Sequence, residues 1–176
     1  MNLPNKISIL RIMLIPVFVL LFYFLQIPSQ KFILAGLFAF MALTDALDGH
    51  IARKTKQVTE LGAVLDPIAD KLISIAVIIL YIGNGIPAWM ALIMLSRDMI
   101  LLGLRSFATE YKIIIRVSVL GKIKTGIEMV SFILIILQLT IGTWILGVAM
   151  ILSVISGVDY CIKGITKLKK HYKKMA

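Results

Sequence analysis

A chain of 176 residues that is 60% hydrophobic and only 16% charged departs from an average soluble domain, which is roughly half apolar and about a quarter charged. That composition identifies an integral membrane protein and leaves no room for a separate soluble domain. The net charge of +10 would suit nucleic acid, but membrane topology and attraction to anionic lipid headgroups account for it better, so no nucleic-acid partner is expected.

A bilayer-crossing helix needs about 20 mainly apolar residues. Six such stretches follow one another along the chain, at 7–26, 32–51, 63–82, 88–107, 123–139 and 144–162. The expected fold is therefore an all-α integral membrane protein with six transmembrane helices, residues 1–176 forming one transmembrane catalytic domain. The stretch after Met1 lacks a small-residue cleavage site and reads as a retained helix. Ile27-Pro28-Ser29-Gln30, Gly83-Asn84-Gly85-Ile86-Pro87 and Thr140-Ile141-Gly142-Thr143 carry the chemistry of tight turns. The connections at 53–62 and 108–122 are longer and charged, and a basic tail runs from about residue 163 to residue 176. With the amino terminus inside, nearly every Lys and Arg falls on the cytoplasmic face, Lys31 alone occupying a turn on the other. An even number of spans then returns the tail to the inside, which predicts a multi-pass protein of the cytoplasmic membrane with both termini and the active site facing the cytoplasm. The single cysteine, Cys161, cannot form an internal disulfide.

Against this apolar background stand Asp45, Asp48, Asp66 and Asp70. An ionised carboxylate at membrane depth costs roughly 2.5 to 3.5 kcal/mol, so four close together call for compensating positive charge. Residues three and four apart share a helix face. Asp45, Asp48, Gly49 and Ala52 therefore line one side of the second span, and Gly62, Asp66, Asp70 and Ser74 form a stripe on the third. The short connection makes the two helices antiparallel neighbours whose acidic stripes can face one cavity. All-oxygen ligands suit Mg²⁺ or Mn²⁺ rather than zinc, and His50 falls between the Asp-facing positions. Such a site implies a phosphate-bearing substrate, and two metals about 3.5 to 4 Å apart could clamp a pyrophosphate. Gly49, Ala52 and Gly62 would let a flat base or ribose approach the backbone, although small residues equally permit close helix packing. Arg53 offers a fork of donors to phosphate, or serves topology alone. Asp66 followed by Pro67 could also be a helix N-cap with proline at the first helical position.

The ordered pattern Asp45-x₂-Asp48-Gly49-x₂-Ala52-Arg53-x₈-Gly62-x₃-Asp66-x₃-Asp70 closely resembles the signature of the CDP-alcohol phosphatidyltransferase family, with no fixed position missing. The resemblance implies a six-helix membrane fold, usually a homodimer, with two divalent metals per site. It further implies that Asp45, Asp48, Asp66 and Asp70 are metal ligands, that Asp70 also serves as general base, and that Gly49, Ala52, Arg53 and Gly62 contact the CDP moiety. The implied reaction is attack of an alcohol hydroxyl on the lipid-linked phosphorus of a CDP-activated lipid, releasing CMP.

The acceptor alcohol must be read elsewhere. Arg97, Arg105, Lys122 and Lys124 lie toward the same face as the aspartates, and a phosphorylated acceptor would need such a cationic group more than inositol or serine would. The runs Asn5 to Arg11, Asp66 to Lys71, Arg97-Asp98 through Leu104-Arg105 and Gly121 to Thr125 are similar to bacterial members of the family that use CDP-diacylglycerol as donor and sn-glycerol 3-phosphate as acceptor. By that analogy Arg105 and Lys122 bind the acceptor phosphate. Arg97 and Lys124 either join them or pair internally with Asp98 or Glu128. Inositol phosphate or phosphatidylglycerol as acceptor would keep the mechanism. A small cation transporter is the alternative from another class, since intramembrane carboxylates often mark ion pathways.

Overall fold

The computed structural model describes residues 3–55, 60–110 and 119–175, and side chains at 9–44, 68, 71–108 and 120–168. Six α-helices follow in order: α1 (Leu3–Phe24), α2 (Gln30–Thr55), α3 (Glu60–Tyr81), α4 (Ala88–Glu110), α5 (Val119–Ile136) and α6 (Ile141–Met175). The helix count and the places of the turns agree with the hydropathy reading. Among the described residues one stretch, Ile141–Leu168, is by itself long and apolar enough to cross a membrane, while Ile9–Phe24, Gln30–Thr44 and Lys71–Tyr81 are shorter apolar helical stretches.

Two helix boundaries differ from expectation. α3 starts at Glu60, so Asp66-Pro67 lies inside the helix and the N-cap reading of that pair fails. The basic segment after residue 162 is not a separate tail but the continuation of α6, which runs 35 residues and so reaches about 50 Å at 1.5 Å per residue. An exposed Lys163–Asp159 pair one turn apart, 2.6 Å between charged atoms, lies where that continuation begins.

Local chemistry accounts for the turns. The Gln30 side-chain amide donates to the carbonyls of Leu21 and Phe22 at 3.1 and 2.6 Å, satisfying acceptors that the end of α1 would otherwise leave open. Between α3 and α4, Gly83 and Gly85 have φ of +78° and +107°, a backbone region that glycine enters without steric penalty. Pro87 stands just outside α4, its carbonyl accepting from the amides of Met90 and Ala91. α5 ends with the Gln138 amide bonded to the Ile135 carbonyl and the Leu139 amide to the Leu134 carbonyl. Gln138, at φ +62°, occupies the left-handed position usually held by glycine in this helix stop. Thr143 Oγ1 then donates to the Gly85 carbonyl at 2.6 Å, which fastens the α5–α6 turn to the α3–α4 turn.

α1 packs against both α2 and α3, α5 against α6 and α2, and α4 against α6. Phe38 of α2 meets Phe132 of α5 edge to face at 5.9 Å, and Phe22 of α1 meets Tyr81 of α3 at 5.3 Å, a geometry favoured by the ring quadrupoles. Met41, Val77, Ile78, Met94, Ile136 and Leu146 complete the buried core. Many large apolar side chains instead point outward, among them Met13, Phe24, Leu43, Leu92, Trp144, Ile151 and Ile162. An apolar outer surface around a packed helical core is what a lipid solvent permits.

Candidate active site

The acidic constellation is carried by two helices, Asp45 and Asp48 on α2 and Asp66 and Asp70 on α3. The side chains of these four residues, and those of Gly49, His50, Ala52, Arg53 and Gly62, lie outside the described residues, as does the expected facing of the two stripes. Among the described residues, α1 and α5 each pack on both acid-bearing helices, α1 the more extensively.

Lys71 Nζ lies 2.5 Å from Asp98 Oδ2 across the space between α3 and α4. Asp98, only 9% exposed, also accepts from Arg97 Nη1 at 2.7 Å through Oδ1 and has Lys124 Nζ at 4.0 Å. Three cations from three helices therefore surround one buried carboxylate. A charge at this depth persists only when paired and hydrogen-bonded, and the arrangement meets that requirement on both carboxylate oxygens.

Arg97 is anchored on its other side by α6. Its Nε donates to the Ser153 carbonyl and its Nη2 to Ser156 Oγ, both at 3.1 Å, while Ser156 Oγ is also 3.1 Å from the Ser153 carbonyl. With bonds from Nε, Nη1 and Nη2, three of the five guanidinium hydrogens are used. Among the described residues, one hydrogen on each terminal nitrogen has no acceptor.

Lys124 is 2% exposed and bonds Glu128 Oε2 at 2.6 Å one turn along α5. Glu128 is equally buried, and its Oε1 has no hydrogen-bond partner among the described residues. Arg105 on α4 and Lys122 on α5 are exposed. The four basic residues expected at the acceptor phosphate thus divide into two exposed cations and two held internally, by Asp98 and Glu128 as the alternative sequence reading allowed.

Several members of this cluster had no role in the motif reading. Ser153, Ser156 and Gly157 come from the part of α6 before Asp159, whose sequence shows only apolar residues interrupted by small ones. Lys71 was part of a quoted run but had no assigned partner, because Asp98 lies 27 residues away. The Lys124–Glu128 pair was visible from its spacing of four.

The comparisons with known proteins fall on the same region. The family model described as CDP-alcohol phosphatidyltransferase matches residues 1–155. A CDP-diacylglycerol–glycerol-3-phosphate 3-phosphatidyltransferase of Rickettsia typhi is 38% identical over 169 residues, covering 90% of this chain and 94% of its own. Proteins of the same name from Haemophilus influenzae and Bacillus subtilis are 42% and 35% identical, covering 74% and 96% of this chain and 72% and 97% of their own.

Proposed function

The chain belongs to the CDP-alcohol phosphatidyltransferase family, and from that premise we propose that it transfers the phosphatidyl group of CDP-diacylglycerol to sn-glycerol 3-phosphate, releasing CMP and forming phosphatidylglycerophosphate. The observation that carries this reading is similarity over nearly the whole chain to relatives named for that activity. Enzymes of the family generally depend on a divalent metal. The donor set here, four aspartates and no nearby cysteine, fits a hard cation such as Mg²⁺ or Mn²⁺. Asp45, Asp48, Asp66 and Asp70 would hold two of them, and when bound the cations offset the charge of the pyrophosphate and of departing CMP.

The protein's own groups account for the remaining steps. Asp70 accepts the proton of the acceptor hydroxyl as that oxygen forms its bond to the lipid-linked phosphorus and the bond from phosphorus to the CMP oxygen breaks. Its basicity as a metal-bound carboxylate is low, so placement contributes more than proton affinity. Gly49, Ala52 and Gly62 admit the cytidine and ribose, and Arg53 bonds a phosphate oxygen. Arg105 and Lys122, both exposed, receive the phosphate of the acceptor, and Arg97 adds its two remaining hydrogens. Lys124 acts on the acceptor at one remove, by neutralising the buried Glu128 of the same helix.

This is a membrane protein, and we place all six helices across the cytoplasmic membrane with both termini and the site inside, as a homodimer embedded among membrane lipids. A cysteine introduced at Lys31 in a Cys161→Ser background would be labelled from outside intact cells; labelling only after lysis would reverse the orientation. Mass photometry in nanodiscs reads the oligomeric state, and a single-copy mass would remove the dimer.

The reaction itself is tested with purified protein, CDP-diacylglycerol and a panel of acceptors. Release of CMP should require glycerol 3-phosphate. Release that requires inositol phosphate or phosphatidylglycerol would overturn the acceptor assignment, and metal flux in liposomes without CMP release would overturn the reaction class.

A further inference from the structure

We infer that Asp98 is a positioning residue for the catalytic carboxylates, acting through Lys71 to set the rotation of α3; this rests on the role proposed above for Asp70. Lys71 follows Asp70 directly, so the two positions are about 100° apart on the same helical turn. Whatever holds the Lys71 ammonium also limits how far α3 can turn about its axis at Asp70. Asp98 Oδ2 holds it at 2.5 Å.

The anchor is itself fixed. Asp98 is bonded by Arg97, and Arg97 is bonded to two residues of α6. Gly157 contributes by absence of bulk, because a Cβ there would sit 3.1 Å from Arg97 Nε and 3.2 Å from its Cγ. Lys124 of α5 completes the ring of cations at 4.0 Å. Lys71 is thus tied to α4 and, through Arg97, to α6.

The position of the cluster along the helices agrees with such a role. Lys71 lies ten residues before Tyr81, the last residue of α3, which is roughly 15 Å from the turn. At the turn itself the bundle is already fastened by Thr143 and Gly85. The packing of Ile73, Val77 and Ile78 holds the turn-proximal half of α3. The Lys71–Asp98 pair is the first described cross-helix ion pair on the side where Asp70 and Asp66 lie. It serves the metal-ligating carboxylates as hydrogen-bonded groups behind a ligand shell usually do, by holding their orientation.

The experiment is a double-mutant cycle on the purified full chain in detergent, with Asp98→Asn, Lys71→Gln and the pair combined. Each single variant should lower kcat by about tenfold or more, the range found for groups supporting a metal-ligand shell. KM for CDP-diacylglycerol should stay within about twofold in both, because neither residue touches it, and KM for glycerol 3-phosphate should do so in Lys71→Gln, which leaves the Asp98–Arg97 bond in place. The combined variant should be no slower than the worse single one, since both remove the same contact. Mn²⁺ binding followed by electron paramagnetic resonance should weaken in parallel, a readout independent of turnover.

Unchanged kcat in either single variant, or losses that multiply in the pair, would overturn the inference. Should Asp98→Asn fail to fold, Lys71→Gln alone decides, because Arg97 still pairs Asp98 in that variant. Asp70→Asn is the control that separates the two readings. If it still releases CMP, the proposed base is wrong; if it is inactive while Asp98→Asn and Lys71→Gln retain full kcat and Mn²⁺ binding, only the positioning role falls.

Discussion

Gly157 of α6 vacates the space that the Arg97 side chain of α4 fills, with Arg97 Nε 3.1 Å from where a Cβ would stand. The contact joins two helices through a side chain already bonded to Ser153, Ser156 and Asp98. A neighbour held at so many points cannot shift by the few tenths of an ångström that an added methyl demands.

Gly157→Ala should therefore lower the thermal midpoint, although alanine is otherwise favoured over glycine inside a helix by up to about 1 kcal/mol. Gly103→Ala, at a position of α4 where a Cβ would meet nothing within 4 Å, should show the ordinary helix gain. Thermal unfolding of the two variants in the same detergent checks the contrast, and an equal gain for both would remove the steric argument.

The buried pair on α5 should respond asymmetrically. Lys124→Met leaves the Glu128 carboxylate, 2% exposed, without its counter-charge, and removing one partner of such a pair typically costs about 3 to 5 kcal/mol. Lys124→Met combined with Glu128→Gln should regain most of that loss. Unfolding midpoints of the two singles and the double measure it.

Removal of divalent metal should stop CMP release, and Mg²⁺ or Mn²⁺ should restore it. Asp70→Asn should lower kcat by about a hundredfold or more, the usual contribution of a positioned general base. Circular dichroism should show its helix content unchanged, and full activity in EDTA would exclude the metal-dependent reading.

Arg105→Met and Lys122→Met should raise KM for glycerol 3-phosphate by about tenfold each, since a hydrogen bond to a charged group contributes about 1.5 to 3 kcal/mol. KM for CDP-diacylglycerol should hardly move. A change in the donor KM instead would place these residues on the other substrate. Steady-state kinetics with each substrate varied in turn distinguishes the outcomes.

Much of this was legible in the chain because hydropathy and motif spacing are local properties. Asp45 to Asp70 announce themselves by charge among apolar residues, and their intervals place them on helices whatever the tertiary packing. The helix stop at Gln138 was less visible, since its left-handed conformation is held by the bonds to Leu134 and Ile135 and not by a glycine. Asp66-Pro67 left a second reading open because Asp-Pro is a good helix opening; the helix begins at Glu60, near the hydropathy boundary at 63 and six residues before Asp66.

The sequence by itself determined an apolar six-helix chain, its turns and the acidic signature, and offered Lys124 with Glu128 as one of several open pairings, all of which depend on residues near one another in the chain. Only the tertiary structure decided that Lys71 reaches Asp98, that Arg97 turns toward Ser153 and Ser156, and that Gly157 makes room for it. Those contacts join residues 27 to 60 positions apart. Helical periodicity says which face a side chain occupies but not which helix stands opposite, and that is set by how the whole bundle packs.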